Sequence, residues 1–460
     1  MVPAVDLERR LGDLIEEYGV PGAQVAVLSG GRITDAAAGV LNTATGVAAT
    51  TDSVFQIGSI TKPWTATLIM QAVAEGLLDL DAPVRRYLPE FRVRDAAAAA
   101  AITVRQLLGH TSGIDGDLFL DTGRGADAVA NFVPAIADAG QVHRPGAMFS
   151  YCNSGYVLLG RILEVLRGKP FDTLLRERLV TPLGLTRVAA DADEAILFRA
   201  AVGHTGFEPG TGPLPAPVWA LPASNAPAGA RLAMSARDLL GFARLHLSGG
   251  RAPDGTAVLP ESVVREMTRP HIEVPDIGYG THWGLGWQLF DTATGLFGHD
   301  GSTLGQNAFL RVAPASGVAI ALLANGGSAF ALYRDLVEDL LWEHAGIRLP
   351  ARPVPPAHPE PVDAVRVSGR YRSAMYEHAI DVDPDGRAWL STKPLTTEAA
   401  LVAVPDRIEV LHLRPDALIA AHPIRGRHTV YGLINGDGHA GTRYLHTSRA
   451  MPRQPSEERS

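Results

Sequence analysis

Lysine is nearly missing from this 460-residue chain. Of its 41 basic side chains only Lys62, Lys169 and Lys393 are lysine, and the rest are arginine. Cysteine is scarcer still: the single Cys152 excludes any intramolecular disulfide. No excess of positive charge or basic stripe is present, and the net charge of -8 argues against a nucleic-acid partner. No run approaches the roughly 18 apolar residues of a membrane span, so no membrane partner is expected. The opening M-V-P-A-V-D-L-E-R-R-L-G-D-L-I-E-E lacks a basic stretch leading into an apolar one. No signal peptide is therefore expected, and the expected location is cytoplasmic. No cluster with metal-ligand spacing and no glycine loop between strand and helix is found, so neither metal nor cofactor is expected. No internal repeat is visible.

What remains is a soluble globular composition, 46% hydrophobic and 20% charged. The length exceeds the roughly 250–300 residues at which one core stops growing, which predicts two domains. Residues 5–18 have helical spacing, and A-Q-V-A-V-L-S-G-G-R-I-T-D reads as a hairpin turning at Gly30-Gly31. A buried helix is predicted over 60–76, with Ser59 as its cap and Pro63 tolerated in the first turn. Helical patterns run from 104 to 270. From Trp283 four apolar runs read as consecutive antiparallel strands, closed by a helix over 329–344. The fold class predicted for residues 1–348 is α/β (α+β), an antiparallel sheet flanked by helices with a helical insert. Residues 349–362 form a proline-rich linker. Short runs over 363–450, among them A-L-V-A-V at 400–404, predict a small antiparallel β-barrel, and 451–460 a disordered tail.

The stretch F-Q-I-G-S-I-T-K-P-W, residues 55–64, explains the surviving lysine. A serine hydroxyl is a weak nucleophile until a base takes its proton. Three residues along a helix, the Lys62 amine is aimed at the Ser59 oxygen. Burial makes a lysine amine able to accept a proton, whereas arginine stays protonated. The alternative is a capping serine with a surface lysine, against which the apolar run after Lys62 argues.

In F-S-Y-C-N-S-G-Y, residues 149–156, Tyr151 and Asn153 point to one side of an extended segment. Tyr151 can share a proton with Lys62, and the Asn153 amide can hold a substrate amide. A packed tyrosine beside a turn asparagine is the other possibility. Cys152 between them reads as a small packed residue. Three His-x-Gly patterns occur, at His204, His299 and His439. His299 fits best, because it begins a strand-like segment in the hairpin series. Gly301 would let a substrate lie close to that strand. The Ser302 amide would pair with that of Ser59 as an oxyanion hole, each donor contributing about 3–4 kcal/mol.

S-I-T-K, Y-C-N and H-D-G occur in this order, with S-V-F-Q-I-G, L-L-G-H-T-S-G-I and R-P-G-A-M-F-S as flanks. Together they resemble the serine β-lactamase and penicillin-binding-protein superfamily over residues 5–345, and within it the class C β-lactamase-like branch of esterases, D-amino-acid peptidases and amidases, and transacylases. The resemblance implies a β-lactamase/transpeptidase-like fold and an acyl-enzyme on Ser59. Lys62 and Tyr151 would be base and then acid, with Asn153 and His299 positioning substrate. Histidine stands where many lactamases have Lys-Thr-Gly, which argues against strong lactamase activity. The C-terminal β domain resembles the lipocalin-like module of some relatives, and the two-domain layout resembles penicillin-binding-protein-type thioesterases. That implies a peptidyl (thio)ester substrate, carrier-tethered or free, released by macrocyclisation, with Arg443 facing the cleft to receive a carboxylate. A hydrolase or transacylase of small esters or amides is the alternative, and a non-catalytic binding protein a remoter one.

Overall fold

The computed structural model describes residues 4–206, 212–401, 406–424, 426–435 and 441–455. A nine-stranded antiparallel sheet organises the first part. Its order is Val47–Ala48, Arg32–Asn42, Gly22–Ser29, Val318–Ala324, Asn307–Ala313, Leu296–Ser302, Gln288–Asp291, His282–Trp283 and Ile272–Glu273. The interior strand Val318–Ala324 is buried along its whole length, which is why it reads V-A-I-A-L-L-A without alternation. Helices Ala4–Glu17 and Ala329–Ala345 share a core with one face, through Leu7, Leu11, Leu332 and Leu336. The helical insert, including Thr61–Ala74, Asn153–Arg167 and Ala236–Leu247, packs with the other face. The predicted hairpin turns where expected, with Gly30 and Gly31 at φ of 57° and 76°, a geometry that glycine adopts without Cβ strain.

Several boundaries differ from expectation. W-G-L-G-W-Q-L-F is not one strand. It breaks after Trp283 and resumes at Gln288, with Gly286 at φ 91° between. The helix predicted over 60–76 spans Thr61–Ala74 and is preceded by a 3₁₀ turn, Gly58–Ile60. Ser59 is therefore inside that turn and caps nothing. The stretch 400–404 begins not as a strand but at the end of a helix, Thr397–Leu401, and 402–405 lie outside the described residues.

The second part is an eight-stranded antiparallel meander from Gly369–Arg372 to Ala450–Pro452. Its ends meet: Tyr371 bridges Arg453, and Gln454 N donates to Arg370 O at 2.7 Å, which makes a nearly closed barrel. Tyr371, Ile380, Leu390, Val410, Leu418 and Leu445 fill it. The disordered tail expected from 451 is corrected accordingly. Met451 and Pro452 belong to the closing strand, whose backbone bonds remove an otherwise open edge. Residues 456–460 lie outside the described residues.

Main-chain and side-chain bonds join barrel to sheet domain. The Tyr151 N donates to Ser448 O at 2.8 Å, and Ala450 N to Ser150 Oγ at 3.1 Å. Tyr444 Oη donates to Val142 O at 3.2 Å. The Ala374 N donates to Asp115 Oδ1 at 3.0 Å. Among the described residues no helix is long and apolar enough to cross a membrane.

Behind the strand Leu296–Ser302, Arg311 is 2% exposed and donates to Asp300 at 2.6 Å and to Tyr333 Oη at 2.9 Å. Removing one member of such a pair leaves an uncompensated buried charge. Asp300→Ala is expected to lower stability by about 3–5 kcal/mol in urea unfolding, and adding Arg311→Met to restore most of it. An Asp300→Ala loss under about 1 kcal/mol would contradict the pairing.

Candidate active site

The site grows from the turn before Thr61–Ala74. Strand Phe55–Gln56 pairs with Ala233–Met234, and the Gln56 N donates to Gln306 Oε1 at 2.9 Å. These ties fix the 3₁₀ turn that carries Ser59, which stays partly accessible. The helix that follows is buried nearly all round, so Lys62 enters the interior and has 0% exposure. Lys62 Nζ lies 2.9 Å from Ser59 Oγ and 2.7 Å from Ala228 O. The carbonyl can only accept, so it takes one N–H of the amine. Burial, then the Arg449 guanidinium, hold Lys62 well below the ordinary lysine range. A neutral amine in this position keeps a lone pair for the Ser59 proton.

Strand Leu296–Ser302 runs against the same turn, backbone on backbone. A methyl at Gly301 would sit 1.9 Å from Ile57 O and 3.0 Å from Ser59 N, and one at Gly58 would sit 2.6 Å from Ser302 N. Only glycine allows this approach, and it brings the Ser302 main chain beside the Ser59 turn. The Ser302 side chain is exposed and donates to Asn307 Oδ1 at 3.0 Å.

The Tyr151 ring centre lies 4.8 Å from Lys62 Nζ. Its hydroxyl is near Ser59, which favours the ionised form, but no hydrogen bond of good geometry joins them. Burial dominates and pushes the phenol well up. His110, from the L-L-G-H-T-S-G-I segment, stacks on the Tyr151 ring at 4.2 Å and accepts from Cys152 N at 3.0 Å. Asn153 opens the helix Asn153–Arg167 and donates its amide to Asp117 Oδ1 at 2.6 Å. That bond leaves the Asn153 carbonyl oxygen as acceptor. His299 is fully buried beside Trp283, at 5.4 Å between rings. Its Nδ1 donates to Asp300 O at 2.5 Å, so Nε2, which has no partner among the described residues, presents a lone pair. Burial, with Lys62 adding to it, holds His299 down to about 3.

Ser59, Lys62, Tyr151, Asn153, His299, Gly301 and Ser302 thus come together. Arg443 does not. Its strand neighbours Tyr444 and His446 bond to the sheet domain at Val142 and Phe149, and alternation turns Arg443 to the opposite side, where it is exposed against the Tyr444 ring. The arginine at the site is Arg449, which donates to Asp117 Oδ2 at 2.7 Å. His204 pins two loops together, bonding Asn325 O at 2.8 Å and the Thr43 N at 3.0 Å. His439 lies outside the described residues. Sequence reasoning missed Asp117, Arg449, Trp283 and Tyr279, whose ring meets that of Tyr151 edge-on at 6.1 Å. Only His110 had a signal, in the flank already quoted. Among the described residues no group of three or more His, Cys, Asp or Glu is placed to hold a metal ion.

A model of the beta-lactamase family matches residues 7–340, and the chain belongs to that family as a serine hydrolase/transferase. Penicillin-binding protein 4 of Amycolatopsis lactamdurans is 49% identical over 368 residues, covering 79% of this chain and 96% of that protein. The crystal structure of SurE superposes with a TM-score of 0.76 at 28% identity, covering 98% of this chain and 99% of that one. D-amino acid amidase from Ochrobactrum anthropi SV3, solved with D-phenylalanine, matches with a TM-score of 0.59 at 26% identity, over 70% of this chain and 91% of that one.

Cys152 sits between Tyr151 and Asn153, accepts from Gly155 N at 3.3 Å, and is pushed up to about 12 by burial. A thiol so raised carries almost no thiolate at about pH 8. Iodoacetamide is therefore expected to leave the native protein unmodified and to alkylate it after denaturation. Rapid native alkylation, read by mass spectrometry, would show the thiol to be accessible and ionised.

Proposed function

We propose that the protein is a stand-alone acyl-transfer enzyme that takes a peptidyl (thio)ester onto Ser59 and releases it by macrocyclisation. Ser59 Oγ attacks the acyl carbonyl while its proton passes to the Lys62–Tyr151 pair. The pair returns a proton to the departing thiol or alcohol. The peptide's own amine then attacks the ester, its proton goes to the pair, and Ser59 is regenerated as an amide forms. The Ser59 and Ser302 amides face the oxyanion, and Asn153 Oδ1 and His299 Nε2 orient the substrate.

The observation that carries the acyl-transfer chemistry is the buried amine 2.9 Å from a partly accessible serine hydroxyl. Cyclisation over hydrolysis is favoured by the barrel, whose closing turn bonds directly to Tyr151, and by the end-to-end likeness to SurE. SurE has also been solved with D-Leu, which favours a D-residue at the end of the acyl group. No nucleic-acid partner enters this reading.

A fluorophosphonate or penicillin probe is expected to add its mass at Ser59, and Ser59→Ala to abolish labelling. Persistent labelling of that variant would sink the reading. Lys62→Arg, which puts a permanently protonated group where the neutral amine stood, should slow labelling by about 10²–10⁴-fold. A linear peptidyl thioester mimic ending in a D-residue should give a product one water lighter than the free acid. Free acid alone would assign the enzyme to hydrolysis, and equal turnover of the L-terminated mimic would remove the stereochemical part.

A further inference from the structure

The barrel inserts a charged side chain into the sheet domain. Arg449 lies in the turn between Thr442–His446 and Ala450–Pro452, and its guanidinium stands 4.6 Å from the centre of the Tyr151 ring. Its Nε donates to Asp117 Oδ2 at 2.7 Å, and the other oxygen of that carboxylate takes the Asn153 amide at 2.6 Å. The turn is itself fixed. Ser448 adopts φ 71°, its carbonyl accepts from Tyr151 N at 2.8 Å, and its hydroxyl accepts from Arg449 Nη1 at 3.0 Å. One carboxylate therefore links the barrel to Asn153, and one carbonyl links it to Tyr151.

We propose that Arg449 and Asp117 are positioning residues of the acylation centre, which is complete only when the barrel is docked. Asp117 aims the Asn153 amide, and Arg449 supplies a fixed positive charge at the Tyr151 ring, whose centre also lies 4.8 Å from Lys62 Nζ. This rests on the acyl-transfer reading for its catalytic consequence but not for its electrostatic one.

The groups facing Lys62 come from several elements. His110 and His299 are kept as neutral imidazoles by burial. Burial likewise pushes up the Cys152 thiol and the phenols of Tyr151, Tyr156 and Tyr279. Arg449 and Asp117 remain as the charges, and they act oppositely: Arg449 disfavours the ammonium and Asp117 favours it. Removing each should move the amine in opposite directions, which mere loosening of the interface would not do.

The scarcity of lysine makes this measurable. Protein carrying ¹³C at lysine Cε gives three NMR titrations, and the exposed Lys169 and Lys393 are assigned by Lys169→Arg and Lys393→Arg. Arg449→Gln is expected to raise the Lys62 midpoint by about one pH unit, and Asp117→Asn to lower it. Arg449→Lys, which keeps the charge, should stay near the parent. Movement of both variants in the same direction, or of neither, would overturn the proposal. If Arg449→Gln does not fold, Asp117→Asn and Arg449→Lys still carry the sign. In fluorophosphonate labelling, Arg449→Gln should shift the rising limb of the pH–rate profile upward, a loss of about tenfold near neutrality that disappears at high pH. An equal loss at every pH would mean a purely structural role. A parent that never labels at Ser59 sinks the acyl-transfer reading, while the lysine titration still decides the charge relation.

Discussion

The site is organised around an amine that has been denied water. A lysine normally remains charged and solvated, and moving it into the interior is costly unless it loses its proton or finds a counterion. Here the helix Thr61–Ala74 is buried on nearly every side, so Lys62 has nowhere to extend into solvent. It meets one carbonyl and one hydroxyl instead. The surrounding imidazoles and phenols are themselves held neutral by the same burial. The packing that stabilises the insert thus also keeps the amine unprotonated beside the Ser59 hydroxyl, as the acyl-transfer reading requires.

Backbone approach is the second constraint. The Ser59 turn and the strand Leu296–Ser302 touch without intervening side chains, because Gly58 and Gly301 carry none. The strand is held from behind by the buried Arg311–Asp300 pair and from the side by its ladder to Asn307–Ala313. Main-chain amides placed in this way need no rearrangement when negative charge develops near them, which is the condition under which such donors contribute most. The rigidity of a sheet is thereby passed to a short turn.

Much of this was legible in the sequence, for identifiable reasons. The Ser59–Lys62 spacing is local, so helix periodicity alone predicted that the two would meet. The hairpin at Gly30-Gly31 and the V-A-I-A-L-L-A strand follow from turn chemistry and burial on both faces. The capping role assigned to Ser59 did not survive, because a 3₁₀ turn and an α-helix look alike over three residues. The cleft-facing role expected of Arg443 failed because the register of a short barrel strand is set by its neighbours and not by its own pattern. Asp117 carried no signal at all: it lies in a loop of the sheet domain, and it is tied to the site by Asn153 and by a barrel residue more than 300 positions later.

On the acyl-transfer reading, excluding water is not sufficient to favour a ring. A flexible peptide presents its free amine to its own ester at an effective concentration of only about millimolar, far below that of bulk water. An amine held in line can instead reach effective molarities of about 10⁵ M or more. Cyclisation therefore requires a surface that folds the peptide back, beyond a lid that keeps the ester dry. A barrel bonded at Tyr151, Ser150, Phe149 and Val142 stands as a wall beside the nucleophile. Its placement can serve both needs, since the turn that brings Arg449 to Asp117 also sets where that wall stands relative to Ser59. Catalytic charge and product shape would then depend on the same docked interface.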